Sequence, residues 1–184
     1  MRHLGKSVAG VSLALGATLL PARLTAQSPA AAALCSEKSC ALVLDWGPGK
    51  SAGDYSADIR YGSATDFETT ARRAFAAHGA RIQEKTDGAE LVITLRPQFN
   101  TRAMCEVLPG TNTTYGCTAM SDLAVSFAAA DPAVKAPSPI RLSNRCGGSS
   151  TYLTMVQFGQ YVGDMLWWTI AGSQNKEKKP SLKC

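Results

Sequence analysis

Apolar and polar residues alternate with a period of two along several stretches of the chain. In the clearest of these, Leu91, Ile93 and Leu95 face one way and the residues between them face the other. This alternation is typical of a strand with one buried face. Pro97 is expected to end that strand, because proline has no amide hydrogen to donate to a sheet. The predicted strands cover residues 39–46, 80–84, 91–96, 102–107, 115–129 and 140–145.

Two other segments have a helical period. The first is predicted to run from residue 66 to residue 78, because a capping box at residues 65–68 opens it and Gly79 follows it. The second runs from residue 152 to residue 171 and carries a wide apolar stripe. That stripe consists of Met155, Phe158, Tyr161, Val162, Met165, Leu166, Trp168 and Thr169.

A transmembrane helix is the rival interpretation of the second segment. Asp164 argues against it, because an ionised carboxylate near the centre of a bilayer costs about 2.5–3.5 kcal/mol. Gly159 and Gly163 lie one turn apart and predict a close approach of this helix to the strands of the sheet. We therefore expect no span once an N-terminal signal has been removed.

In chain order these elements predict an α+β fold with a mostly antiparallel sheet of about five strands. The two helices, 66–78 and 152–171, are expected to pack on one face of the sheet, and disulfides are expected to crosslink the domain. The expected organisation is a signal peptide (1–26), a flexible leader (27–38), a single α+β domain (39–172) and a basic tail (173–184).

The N-terminus has the three parts of a secretory signal peptide. Arg2 and Lys6 precede an uncharged apolar run, residues 8–20, and Ala26 is a small residue at a plausible cleavage point. This pattern predicts a periplasmic or extracellular protein. Two alternatives stay open, namely a lipid anchor at Cys35, which Leu34 disfavours, and an uncleaved anchor.

All six cysteines follow the predicted cleavage point and would therefore meet an oxidising compartment. Six cysteines allow about 15 complete pairings. Sequence spacing favours the disulfides Cys35–Cys40, Cys105–Cys117 and Cys146–Cys184, the second with its two cysteines directly opposite each other in a hairpin. Metal binding or redox chemistry is the alternative, but the chain has no C-x-x-C motif.

Charge and motif content predict little chemistry. Of 19 Lys and Arg residues, Arg2, Lys6 and Arg23 lie in the predicted signal, so 16 remain against 14 Asp and Glu, a formal net charge of +2. This balance gives no reason to expect nucleic-acid binding. His78 is the only histidine after the signal, and the sequence predicts no catalytic residue, no metal ligand and no cofactor.

The adjacent residues Trp167 and Trp168 form the candidate binding surface. Neighbouring helical residues point about 100° apart, so the two rings cannot enter the same core. One of them is expected to be exposed to a partner, either an envelope protein or a lipid, or to be covered by the C-terminal tail. The sequence thus favours a non-enzymatic accessory or binding domain. A small secreted hydrolase that uses carboxylates or His78, and a small-molecule or lipid-binding module built on the Trp-rich helix, are the alternatives.

Residues 67–95 combine a helix that ends at Gly79, a short strand, and a second strand with the sequence A-E-L-V-I-T-L. This unit resembles small bacterial periplasmic, lipoprotein-like domains of the DUF4136 type and the N-terminal domain of the TolB translocation protein. The resemblance implies a periplasmic accessory domain without catalysis, and it implies no functional residues. The chain departs from the lipoproteins because it has no lipobox.

The signal peptide generates the first testable prediction. The exported protein should begin at Gln27, because signal peptidase cleaves after small residues such as Ala26. Intact mass measurement of the secreted or periplasmic protein checks this expectation. A chain that keeps Met1 in the cytoplasm would contradict both the predicted compartment and the oxidised state of the cysteines.

Overall fold

The computed structural model describes residues 34–52, 62–107, 110, 114–146, 152–172 and 176–182. These residues form a five-stranded sheet and two helices, which confirms an α+β architecture. The predicted signal peptide and residues 27–33 lie outside the described residues. In chain order the elements are β1 (Cys40–Leu44), α1 (Ala64–Ala77), β2 (Ile82–Gln83), β3 (Leu91–Val107), β4 (Thr114–Ala129), β5 (Ile140–Ser143) and α2 (Met155–Trp167).

The sheet is mixed, so the expectation of a mostly antiparallel sheet is wrong. Its strand order is β2-β1-β3-β4-β5, and β1 runs parallel to both of its neighbours. The β3–β4 and β4–β5 pairs are antiparallel. The physical reason is the position of α1 between β1 and β2, because a helical connection returns the chain to the end where it started and makes the next strand parallel.

Pro97 lies inside β3 and does not end it, contrary to the sequence prediction. The Asp45 N–H donates to the Leu95 carbonyl at 2.8 Å, so the backbone groups of Leu95 point toward β1. By the alternation of a strand, the missing N–H of Pro97 also points toward β1 rather than β4. Proline therefore ends the pairing with β1 after Leu44, while Pro97 still pairs with Leu123 on β4.

The β3–β4 hairpin has a different register from the predicted one. Cys117 lies opposite Ala103 rather than Cys105, and Val107 lies opposite Thr114. The same register already holds at the other end of the hairpin, where Leu91 lies opposite Ala129, because the register shifts at Gln98/Phe99 and at Asn100/Ala103 cancel each other. Turn residues alone do not reveal this register, because it is set by the pairing of the buried faces along the whole length of both strands.

The core lies between one face of the sheet and the two helices. Leu91, Ile93 and Leu95 are fully buried, as the alternating pattern predicts. On the opposite face, Arg96 is exposed and donates to the Asp45 carboxylate at 2.6 Å, an interaction that lowers the pKa of Asp45. The helices contribute Phe67, Phe75, Phe158, Val162, Met165 and Leu166 to this core, and the other strands contribute Leu42, Met120, Leu123, Val125 and Leu142.

Both helices begin at a capping box, but α1 begins earlier than predicted. Ser63 accepts from the Asp66 N–H, and Asp66 Oδ2 accepts from the Ser63 N–H, each at 3.0 Å. The Ser63 backbone and side-chain hydrogen bonds lower the pKa of Asp66. The helix α2 begins after Thr154 and passes into a π-helical segment at Trp168–Gly172, so the predicted helix 152–171 is shortened at its start.

Gly159 and Gly163 bring α2 against α1, not against the strands as the sequence analysis expected. A Cβ atom on Gly163 would lie 2.5 Å from Ala74 Cβ and 2.6 Å from the Ala71 carbonyl oxygen. One on Gly159 would lie 2.6 Å from the Phe67 carbonyl oxygen. The two helices therefore touch through their backbones, and this contact requires glycine on α2.

The Cys35–Cys40 disulfide is present, as predicted, with a Cα–Cα distance of 5.1 Å. Both cysteines are fully buried. The Cys35 N–H donates to Glu90 Oε2 at 3.1 Å, and the Cys35 carbonyl accepts from the Arg81 N–H at 2.7 Å. Residues 34–38, which the sequence analysis assigned to the leader, therefore form a turn that packs on the core.

The helix contact generates the second testable prediction. Gly163→Ala should lower the free energy of unfolding by about 1–3 kcal/mol, because the new methyl group has no space against Ala74. Helix propensity alone would give the opposite sign, a gain of about 0.8–1 kcal/mol. Urea unfolding of the variant, beside Val156→Ala at an exposed position of the same helix, checks the sign. A more stable Gly163→Ala protein would contradict the packing described here.

Candidate functional site

The C-terminal tail folds back over Trp168. The Trp168 Nε1–H donates to the Glu177 carbonyl at 2.9 Å, and Lys179 Nζ lies 5.5 Å from the centroid of the same ring. Leu182 packs against the hydrophobic core. The tail therefore packs as a strap on the end of α2 rather than extending into solvent. Trp168 is the tryptophan that this tail covers.

Trp167 packs on the other side of α2, beside the end of α1. Its ring stacks on the His78 ring, with centroids 5.7 Å apart and an angle of 5° between the planes. His78 Nε2 lies 2.9 Å from Asp164 Oδ1, and Gln160 donates to the same carboxylate. This polar cluster links α1 to α2. Asp164 therefore bridges the two helices, whereas its position in the sequence is equally compatible with a solvent-exposed carboxylate.

A groove opens between β5 and the second half of α2, with a volume of about 390 Å³. We call it the edge groove. Its floor and walls include Ile140, Leu142, Tyr161, Met165, Trp168 and Lys179. Ile140, Leu142, Met165 and the Trp168 ring give the groove apolar surface, and Arg141, Thr169 and Lys179 add polar groups. Burial raises the pKa of the Tyr161 hydroxyl, so this group remains a neutral hydrogen-bond donor well above neutral pH.

One side of the edge groove is the open edge of the sheet. The Ser121 carbonyl accepts from the Asn144 N–H at 2.9 Å, so Ser121 and, by the shared register, Leu123, which pairs with Leu142, turn their backbone groups toward β5. The Asn144 carbonyl itself accepts from the Leu153 N–H at 3.3 Å. By alternation, the N–H and C=O groups of Arg141 and Ser143 point away from β4. In the part of the chain that the structure describes, no strand pairs with β5 on that side. A bridge between Arg145 and Tyr152 closes the edge at its far end.

A second groove, of about 450 Å³, lies between α2 and the tail. It includes Val156, whose side chain is 50% exposed and is the one large exposed hydrophobic group among the described residues. Pro180 and Ser181 of the tail form its other wall. This groove lies beside helical backbone whose hydrogen bonds are already made, so it offers no open strand edge.

The remaining cysteines are only partly described. Cys146 is disulfide-bonded and buried, and its partner lies outside the described residues. The side chains of Cys105 and Cys117 and the whole of Cys184 also lie outside them. The pairings Cys105–Cys117 and Cys146–Cys184 therefore stay predictions.

The residues considered for hydrolytic chemistry do not converge. His78 uses Nε2 for Asp164 and packs its ring on Trp167, and none of the described Ser, Thr or Cys side chains hydrogen bonds to it. Among the described residues there is no group of three or more His, Cys, Asp or Glu side chains that could hold a metal ion. Within the same residues, no helix combines the length and apolar character needed to cross a membrane.

Sequence reasoning found Trp168 but not the rest of the edge groove. The missed residues are Arg141, Met165 and Lys179, which come from a strand, a helix and the tail. The only local signal for Arg141 is its outward-facing position on a predicted strand. No local pattern identifies β5 as the edge of the sheet, because that depends on the order of all five strands.

Comparison with known proteins gives a distant structural likeness. No family model matches the chain, and no curated protein matches it. A solved structure of a minor lipoprotein from Acinetobacter baumannii is similar at 17% sequence identity and a TM-score of 0.30. The match covers 80% of this chain and 98% of that chain. At this score the likeness assigns neither a fold nor a function to this chain.

The tail strap generates the third testable prediction. Trp168→Phe should speed tryptic cleavage after Lys176 and Lys178 by about twofold to tenfold, because it removes the hydrogen bond to Glu177 that holds the tail. Trp167→Phe is the matched control, since Trp167 contacts His78 rather than the tail. Mass spectrometry of reduced digests measures both rates. Equal acceleration in the two variants would contradict a specific role of Trp168.

Proposed function

We propose that this protein is an exported, non-enzymatic accessory domain of the bacterial envelope that binds a partner protein in the edge groove. The observation that carries the proposal is the juxtaposition of an unpaired strand edge and an apolar groove at β5. An apolar groove provides binding energy through burial, and unpaired backbone groups provide direction and register.

The edge of β5 is unusual within this sheet because it is both open and flanked by an apolar groove. The opposite edge strand, β2, has only two residues, Ile82 and Gln83. Natural proteins shorten edge strands to prevent unwanted pairing, and β2 follows that rule. The strand β5 is also short, but Trp168 and Met165 extend its edge into a surface that a partner could bury.

The geometry gives less support to the alternative functions. A small-molecule or lipid site normally encloses most of its ligand in a concave pocket. The grooves of the described residues are open, and the core between the sheet and the helices is filled by Phe67, Phe158 and Leu123. A hydrolase would need a nucleophile beside His78, whose ring is already engaged by Asp164 and Trp167. Binding of a protein partner is therefore the better-supported function.

Site-specific photo-crosslinking tests the proposal and is the fourth prediction. The full chain, with its signal peptide, is produced with a photoreactive phenylalanine analogue at Ser143, beside the open edge, or at Ala76, on the exposed side of α1. We expect an adduct with an envelope protein from position 143 and none from position 76. Fractionation of the same cells should find the protein outside the cytoplasm.

Two outcomes would overturn the proposal. Identical adducts from both positions would mean nonspecific contact, and no adduct from position 143 would mean that the edge groove is not a binding surface. Ala76 is a fair control because it is exposed, lies on the same domain and takes no part in the contact between α1 and α2.

A further inference from the structure

The two faces of β5 differ in chemistry. The side chains of Ile140 and Leu142 face the helix layer, where Leu142 is buried beside the edge groove. Those of Arg141, Ser143 and Arg145 are exposed on the other face. A strand added at this edge would place its side chains alternately on these two faces, because strand side chains alternate.

The exposed face of β5 carries two arginines, Arg141 and Arg145, that form no ion pair among the described residues. Arg141 Nη2 donates to the Gln98 side-chain carbonyl at 3.0 Å, and the Arg145 guanidinium lies 5.7 Å from the Tyr152 ring centroid. Both contacts are to neutral groups. Among the described residues neither arginine forms an ion pair, although Asp122 lies opposite Ser143 on β4. Opposite charges on neighbouring strands stabilise their pairing.

We infer that the edge groove binds an extended segment of a partner protein in which apolar and acidic residues alternate, added as a sixth strand beside β5. The inference rests on the proposed function and names the chemistry of the partner. Apolar side chains would lie against Met165 and Trp168, and acidic side chains opposite Arg141 and Ser143 would lie on the same face of the sheet as the Arg141 and Arg145 guanidinium groups. The outward N–H and C=O groups of Arg141 and Ser143 would hold the backbone of the segment.

A charged residue on an edge strand also occurs as protection against aggregation. That role explains Arg141 alone, but it does not explain an apolar groove on the other side of the same short strand. A second copy of this chain is a poorer occupant than an acidic segment. Antiparallel pairing of two β5 strands would bring two copies of Arg141 and Arg145 together on one face, and like charges in register are destabilising.

The fifth prediction uses fluorescein-labelled eight-residue peptides and measures binding to the full mature chain by fluorescence anisotropy. A peptide of alternating Val and Glu should bind, and a peptide of alternating Val and Gln should bind about threefold to thirtyfold more weakly, because two surface ion pairs are lost. A peptide of alternating Val and Lys should show no binding. Equal affinity for the Glu and Lys peptides would overturn the inference.

Backbone N-methylation separates strand addition from simple charge attraction. One Val–Glu peptide is methylated at every Val amide and another at every Glu amide. In an added strand the amides of every second residue face β5, so either the Val amides or the Glu amides make the hydrogen bonds. One methylated peptide should therefore lose binding, and the other should keep it. Equal effects of the two patterns would overturn strand addition.

Matched protein variants locate the site. Arg141→Gln and Arg145→Gln should each weaken binding of the Val–Glu peptide, whereas Lys85→Gln, beside the opposite edge strand, should not. Circular dichroism confirms that each variant is folded. If the Val–Glu peptide does not bind while position 143 still crosslinks to an envelope protein, the strand-addition inference is wrong and the proposed function stands. If the peptide does not bind and position 143 gives no crosslink, the proposed function is wrong as well.

Discussion

The backbone contact between α1 and α2 is the constraint on which the rest of the structure depends. Gly159 and Gly163 let α2 approach the Phe67 and Ala71 carbonyl oxygens to distances that no side chain would permit. This contact fixes the position of α2 relative to α1, and α2 in turn carries Met165 and Trp168, which line the edge groove beside β5. A bulkier residue at either glycine would move the wall of the edge groove as well as weaken the core.

Two further interactions hold the end of α2. His78, Asp164 and Trp167 link it to α1 through a hydrogen bond and a stacked pair of rings. On the opposite side, Trp168 binds the tail through Glu177. The two adjacent tryptophans, which the sequence presents as one binding surface, thus serve two contacts inside the protein. Part of the Trp168 ring remains accessible between the tail and β5, where it lines the edge groove.

The arrangement fits recognition better than chemistry. A catalytic site requires converging polar groups around a reacting atom, and the described residues place their polar clusters in helix caps, in the contact between the helices and on the outer face of the sheet. The edge groove instead combines apolar surface with open backbone groups of β5, and it lies beside Arg141, which forms no ion pair among the described residues. These are the elements from which strand-addition sites are built.

Much of the fold follows from the sequence alone, because it depends on interactions between near neighbours. Period-two alternation correctly identified the buried face of Leu91, Ile93 and Leu95, helical spacing identified both helices, and a separation of five residues identified the Cys35–Cys40 disulfide. Long-range pairing decided the rest: the parallel direction of β1, the continuation of β3 through Pro97, the register that places Cys117 opposite Ala103, and the surface that the two glycines contact. The edge groove belongs to this second group. Its residues come from β5, α2 and the tail. They meet because the strand order leaves β5 at the edge of the sheet and because the tail returns across α2. No local sequence pattern indicates either feature.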